Sequence, residues 1–333
     1  MKRTGKMLLK VGKVIGIILL IIIVLIVVLL IVIMVAGNIK NKSYYKDTTV
    51  ADIIDTKYAA MGESEVSYQK YDADEKQIGK YEIWYPSELE SSSEKYPVVF
   101  WANGTGGQAS KEKSFLKHLA SWGFIVVGNE DKNTRTGASI DSGIEYMLAL
   151  NEDKKNIFYK KIDVDNFGAG GHSQGGPAVF NAATKQEHGD MLKALYVVSA
   201  TSSYHTPILG EDWEYDVSTI SVPVFMAAGS GHWDAGDCTS KEQIPDDDNG
   251  LAQGICPLWS LEENYNALPD NIEKVYAIKT DVDHGDSYKQ FDGYMTAWFI
   301  YQLKDDSEAG KAFIVKGELS GNSLYQDVKS NIQ

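Results

Sequence analysis

A glycine-flanked serine near the middle of the chain has the pattern of an enzymatic nucleophile. Residues 171–175 read Gly-His-Ser-Gln-Gly, which matches G-x-S-x-G with Ser173 at its centre. Residues 166–170 favour a short buried strand, and apolar residues follow at helical spacing over 178–183. A sharp turn from strand to helix would lift the hydroxyl clear of a sheet, provided that the residues two positions away lack side chains. The sequence therefore predicts Ser173 as a candidate nucleophile.

A serine hydroxyl becomes a good nucleophile when a histidine accepts its proton and a carboxylate orients that histidine. Where such a serine follows a strand of an α/β sheet, the acid and then the histidine come later in the chain. The chain has 6 histidines, and only His284 follows the last predicted parallel strand, residues 274–279. The acid is expected after the strand predicted over residues 222–228. Asp234 lies nearest to the end of that strand, and Asp237 is the alternative.

Backbone N–H groups beside the serine would have to stabilise a developing oxyanion. One is expected from Gln174, which follows the nucleophile, and the other from Thr105, in the glycine-rich segment after the strand predicted over residues 97–101. Gly104 lets the backbone approach a substrate closely. Trp233 and Trp259 are candidates for lining the cleft, although either would equally suit the core.

The elements around these residues alternate between strands and helices. A hairpin over residues 65–71 and 77–85 is followed by apolar strands and by helical patterns that include residues 140–150 and 287–303. This order predicts an α/β domain with a mostly parallel sheet covered by helices on both faces, over residues 63–315. Residues 37–62 are expected to be a linker with a short helix, and residues 316–333 a C-terminal tail. Neither G-x-G-x-x-G after the first parallel strand nor a P-loop is present.

The N-terminal segment is strongly apolar. Residues 14–36 carry no charge, five basic residues lie within 1–13, and no acidic residue occurs before Asp47. This arrangement predicts a transmembrane signal anchor in a cell membrane, with a cytosolic basic segment and an extracellular catalytic domain. A cleaved signal peptide is the alternative.

Composition narrows the class of partner. The net charge is -14, and residues beyond the anchor carry 27 basic against 46 acidic side chains. A nucleic-acid interface is therefore excluded, and a neutral or cationic substrate is favoured. The 2 cysteines, Cys238 and Cys256, would form a disulfide in an oxidising location, and two free thiols are the alternative. They lie in an insertion over residues 235–260, for which we hypothesise a lid or specificity loop. Neither a metal nor a cofactor is expected.

Several segments together resemble a known family. Residues 101–107 (Trp-Ala-Asn-Gly-Thr-Gly-Gly), 119–127 (Leu-Ala-Ser-Trp-Gly-Phe-Ile-Val-Val) and 171–176 (Gly-His-Ser-Gln-Gly-Gly) are similar to those of α/β-hydrolase serine esterases. The similarity is greatest to the cutinase, polyester-hydrolase and chlorophyllase-like branch, over about residues 77–315. It implies the α/β-hydrolase fold and an extracellular hydrolase of small-molecule or polymer esters, without metal or cofactor. It also implies a Ser173, Asp234 and His284 triad, with Thr105 and Gln174 as oxyanion donors.

These observations predict a membrane-anchored serine hydrolase that cleaves carboxylic esters through an acyl-enzyme. Two alternatives stay open. The same triad would serve an amidase, a peptidase or an acyltransferase, and a hydrolase-like scaffold would also serve as a non-catalytic surface module. The sequence leaves the oligomeric state open.

Overall fold

A computed structural model describes residues 2–42, 44–244 and 253–333. The chain divides into two units, Met1–Tyr44 and Tyr45–Gln333. The first unit contains helix α1, Lys2–Lys42. Its segment Ile15–Val32 has a mean hydropathy of 4.0 and is, among the described residues, the one helical stretch long and apolar enough to cross a membrane. A helix of this kind fits a membrane anchor and a signal peptide equally well.

The second unit is built on a nine-stranded sheet. Its strands are β1 Val66–Asp72, β2 Lys80–Pro86, β3 Tyr96–Ala102, β4 Ile125–Asn129, β5 Ile162–His172, β6 Leu192–Val198, β7 Val224–Gly229, β8 Lys274–Lys279 and β9 Tyr325–Ser330. Their spatial order is β1-β2-β4-β3-β5-β6-β7-β8-β9. Strands β3 to β8 run parallel, whereas β1, β2 and β9 pair antiparallel. The expected hairpin and mostly parallel sheet are both present.

Both faces of the parallel strands are apolar because helices cover both. Successive side chains of β3 show this. The Phe100 ring contacts Phe167 at a centroid distance of 5.4 Å on one face, and the Trp101 ring contacts Phe115 at 4.6 Å on the other. The first face packs against helices α4 (Ala138–Glu152) and α5 (Gly175–Lys185), and the second against α3 (Lys113–Ser121) and α10 (Asp292–Lys304). The sheet is therefore the middle of three layers.

The remaining helices are short or peripheral. They are α2 Ile53–Ala59, α6 Thr206–Leu209, α7 His232–Ala235, α8 Leu258–Ala267, α9 Ser287–Gln290, α11 Ser307–Gly310 and α12 Glu318–Gly321. Helix α2 is the short helix expected within residues 37–62. It packs against α10, so this part of the expected linker belongs to the folded unit. The helix expected over residues 287–303 is interrupted at Phe291 and forms α9 and α10.

The C-terminal segment differs from the expectation. Residues 316–333 were expected to form a tail, but they contain α12 and β9, which pairs with β8 from Val275↔Ser330 to Lys279↔Tyr325. The position of β9 at the edge of the sheet explains why the hydrophobic pattern of the sequence did not indicate a strand there. Tyr325 is the one buried residue of β9 and most of the others are polar, so the strand lacks the apolar run that marks β3 to β8.

Candidate functional site

Ser173 occupies a strained turn between β5 and α5. Its φ of 58° lies in the left-handed region, which is uncommon for a residue with a side chain. A Cβ on Gly171 would lie 2.2 Å from the Gly175 carbonyl oxygen, and a Cβ on Gly175 would lie 2.2 Å from the Ala102 carbonyl oxygen. The backbone therefore approaches too closely for side chains at both positions, as the G-x-S-x-G pattern predicts.

Three side chains that are distant in sequence form a continuous hydrogen-bonded relay. His284 Nε2 lies 3.0 Å from Ser173 Oγ, and His284 Nδ1 lies 2.7 Å from Asp234 Oδ1. Since a carboxylate accepts, Nδ1 carries the proton in the neutral ring, and Nε2 is free to accept the serine proton. The residues follow β5, β7 and β8, so the carboxyl ends of the parallel strands bring them together. The structure thus joins the predicted nucleophile, acid and base.

The carboxylate of Asp234 is fully buried and saturated with donors. Its Oδ2 accepts hydrogen bonds from Ser199 Oγ at 2.5 Å and from the Gly229 N–H at 2.8 Å. Ser287 Oγ lies 2.8 Å from Ser199 Oγ and 3.0 Å from the His284 carbonyl oxygen, and its one proton serves either neighbour. These donors stabilise a buried charge and fix the orientation of the carboxylate toward His284.

The alternative acid, Asp237, lies elsewhere. Its side chain is 78% exposed, and its Oδ1 lies 3.1 Å from His232 Nδ1. It belongs to a surface pair and does not reach the relay.

A second carboxylate, Asp283, fastens the acid loop to the histidine loop. Its Oδ1 accepts three backbone N–H bonds: from Trp233 at 2.9 Å, from Asp234 at 3.2 Å and from His284 at 2.8 Å. Gly231 makes room for it, because a Cβ there would lie 2.5 Å from the Asp283 side chain. The positions of the acid and the histidine thus depend on one shared acceptor.

The expected oxyanion donors lie on the other side of Ser173. Within the described residues, the backbone N–H groups of Thr105 and Gln174 donate no intramolecular hydrogen bond. Gln174 precedes the first residue of α5, at the helix end where the dipole favours negative charge. The Gln174 amide Nε2 also donates to Thr105 Oγ1 at 3.3 Å, which ties the two segments together. Two open N–H groups beside a serine can bind a developing oxyanion.

His172 supports the relay from behind and was not identified by sequence reasoning. Its Nε2–H donates to the His284 carbonyl oxygen at 3.0 Å, and its ring packs on His284 and Tyr288 at 4.7 and 5.1 Å. Burial is the main cause that lowers the pKa of His172 to about 3, and the neighbouring His284 is the second. The ring is therefore a neutral donor. Its place beside the serine in G-x-S-x-G was the available signal.

A cavity of about 460 Å³ opens over Ser173. Gly104 and Thr105 line it, as expected, together with Ile255 from the insertion. Trp233 and Trp259, both proposed from sequence as cleft residues, do not line it. The Trp233 side chain is 62% exposed at the surface, and Trp259 is 6% exposed and packs against Tyr204.

The insertion over residues 235–260 contacts the relay through its second half. The Cys256 N–H donates to the Asp234 carbonyl at 3.0 Å, and the Ile255 N–H donates to the Trp233 carbonyl at 2.8 Å. The expected disulfide is absent, and both thiols are free. Cys256 is buried in the core, whereas the half-buried Cys238 thiol donates to the Gln243 carbonyl. The acidic run over residues 246–250, within the hypothesised lid, lies outside the described residues.

The described residues were examined for a metal site, and the sequence was compared with known proteins. Within residues 2–42, 44–244 and 253–333, no group of three or more His, Cys, Asp or Glu side chains is arranged to hold a metal ion. The sequence matches no model of a known protein family and no curated protein. Assignment of a function therefore depends on the geometry of the site.

Proposed function

We propose that the protein is a serine hydrolase that cleaves carboxylic esters through an acyl-enzyme. The observation that carries this proposal is the relay from Ser173 through His284 to the buried Asp234, with heavy-atom distances of 3.0 and 2.7 Å. The first distance suits proton transfer from Ser173 to His284, and the second suits a hydrogen bond that orients the imidazole, so the order of the groups is that of a nucleophile, a general base and an orienting carboxylate. The open N–H groups of Thr105 and Gln174 add the electrostatic element that acyl transfer needs.

In the acylation step, Ser173 Oγ attacks the ester carbonyl carbon as His284 Nε2 takes its proton. Asp234 stabilises the resulting imidazolium, and the Thr105 and Gln174 N–H groups stabilise the tetrahedral oxyanion. Collapse of the intermediate breaks the bond to the alcohol oxygen, which leaves with the proton from His284.

In the deacylation step, water repeats the same sequence. His284 removes a proton from the water as its oxygen attacks the acyl-serine carbonyl. The second tetrahedral intermediate expels Ser173 Oγ, which recovers its proton from His284, and the carboxylic acid leaves. Every proton passes through one nitrogen, so the Asp234 bond that fixes the tautomer is required in both steps.

The α/β-hydrolase fold and the location belong to the same proposal. The fold is supported by a mostly parallel sheet that carries Ser173 on the turn between a strand and a helix, with the acid and then the histidine after later strands. We place the domain outside the cell because five basic residues precede the uncharged stretch of α1, residues 14–36, and no acidic residue occurs before Asp47. Trypsin added to intact cells that express the chain is expected to degrade the domain. Protection from trypsin would contradict this orientation.

The function is tested with the full chain in detergent micelles and a short 4-nitrophenyl ester. Ser173→Ala is expected to lower kcat by at least about 1000-fold with a wild-type melting temperature. Ser320→Ala is a matched control, since its exposed hydroxyl donates, within the part of the chain that the structure describes, only to the Gly317 carbonyl. Equal turnover by wild type and Ser173→Ala would overturn the proposal.

A further inference from the structure

Among the described residues that line the cavity over Ser173, one is acidic, Glu112. The other lining residues in the described part of the chain are neutral side chains, the neutral His172, His284 and three glycines. A lone carboxylate on a partly enclosed wall is less screened by water than one on open surface, and it acts on the charge of whatever binds beside it.

Tyr288 fixes this carboxylate in place. The Tyr288 hydroxyl donates to Glu112 Oε2 at 2.5 Å, and Tyr288 is 9% exposed. Burial, as the larger cause, and the neighbouring Glu112, as the smaller one, hold the pKa of Tyr288 well above its usual range. The hydroxyl therefore remains a donor. The Tyr288 ring packs against His172, and His172 packs against His284. The carboxylate is therefore held on the same wall of the cavity as the base.

Aromatic rings line the same wall. The Trp101 ring meets Phe115 edge-on at 4.6 Å, and Phe115 meets Tyr288 edge-on at 5.3 Å; Trp101 and Tyr288 both line the cavity. Aromatic faces attract cations through their quadrupoles, and a carboxylate adds a direct charge. The nearby Lys289 ammonium lies 4.9 Å from the Tyr288 ring centroid, but Lys289 is not among the residues that line the cavity.

We propose that Glu112 selects esters that carry a cationic ammonium group near the scissile carbonyl and discriminates against esters that carry a carboxylate there. This inference rests on the proposed function, because it assigns the substrate class of the same site. The charge of the domain points the same way, since 46 acidic side chains outnumber the basic ones and raise the local concentration of cations.

The test uses three 4-nitrophenyl esters whose acyl chains have equal length and end in trimethylammonium, tert-butyl or carboxylate. The full chain in detergent micelles is assayed at pH 7.5. Wild type is expected to show a kcat/KM for the cationic ester at least about 100-fold above that for the anionic ester. Glu112→Gln should reduce this ratio at least about tenfold, since the amide oxygen still accepts from Tyr288 but the negative charge is lost.

A control separates the local carboxylate from the total charge. Glu187→Gln removes one exposed negative charge that does not line the cavity, and it should preserve the wild-type ratio. Hydrolysis of all three esters at similar rates by wild type would overturn the selection by Glu112 and leave the esterase proposal standing. An unchanged ratio in Glu112→Gln would do the same. A folded wild type that hydrolyses none of the esters would overturn both.

Discussion

Replacement of Asp283 tests whether the two loops of the relay are held by one acceptor. Asp283→Ala removes the oxygen that accepts from the backbone N–H groups of Trp233, Asp234 and His284. Hydrogen bonds to a charged group contribute about 1.5–3 kcal/mol each, so three of them amount to about 4.5–9 kcal/mol if water replaces none of them. Asp283 is half-buried and water can replace part of this, so we expect a loss of about 2 kcal/mol in unfolding free energy.

The effect on catalysis should exceed the effect on folding. Without the shared acceptor, the acid and the histidine are free to drift relative to Ser173, and a displacement of about 1 Å at reacting groups costs about 100-fold in rate. We therefore expect Asp283→Ala to lower kcat about 100-fold at nearly unchanged KM. Asp283→Asn keeps an oxygen that accepts the same bonds, so its kcat should remain within about fivefold of wild type.

The assay is steady-state hydrolysis of a neutral 4-nitrophenyl ester, with unfolding followed by circular dichroism. Asp286→Ala is the control, because it removes a carboxylate from the same loop. Within the described residues, the Asp286 side chain makes no hydrogen bond. A folded Asp283→Ala variant with the kcat of wild type would show that the shared acceptor does not position the acid and the histidine. An equal loss in Asp283→Asn would show that the charge of Asp283, and not its role as acceptor, matters.

Three further variants test the turn at Ser173, one hydrogen bond to Asp234 and the burial of Lys279. Gly171→Ala forces a Cβ to within 2.2 Å of backbone and should cost at least about 1–3 kcal/mol of stability in thermal unfolding, whereas Gly321→Ala, with no neighbour within 4 Å, should cost little; equal melting temperatures would contradict this. Ser199→Ala removes one donor from Asp234 and should lower kcat about 10- to 100-fold at constant KM; wild-type kcat would show that the bond is dispensable. Burial lowers the pKa of Lys279 to about 8 from 10.5, so between these pH values the unfolded chain holds the proton that the folded chain loses, and stability should rise with pH. Relative to wild type, Lys279→Met should remove up to about 1.4 kcal/mol per pH unit of this rise in denaturant titrations between pH 8 and 9.5, and identical slopes would count against it.

The turn at Ser173 could be predicted because its constraints are local. Backbone atoms within a few residues or on the adjacent strand leave no room for a side chain at Gly171 and Gly175. Glycine is therefore required at both positions, and the sequence shows this requirement directly. Asp234 and His284 could be identified because the carboxyl ends of parallel strands meet at one edge, so the position after a strand is informative.

The supporting residues could not be predicted in this way. Ser199 and Asp283 act through hydrogen bonds to residues 35 and 50 positions away, and no periodicity records such pairings. Strand β9 was missed because its polar edge resembles a loop. The sequence could not decide between cleft and core for Trp259, because a large aromatic residue near a site suits both, and the structure buries it.

The central claim is that Ser173 is an activated nucleophile, and covalent labelling tests it most directly. The full chain in detergent micelles is treated with a fluorophosphonate probe, digested and analysed by mass spectrometry to locate the adduct. We expect one adduct on Ser173, abolished in Ser173→Ala and slowed at least about 100-fold in His284→Ala. A folded wild type that carries no adduct, or an adduct on another serine that persists in Ser173→Ala, would contradict it.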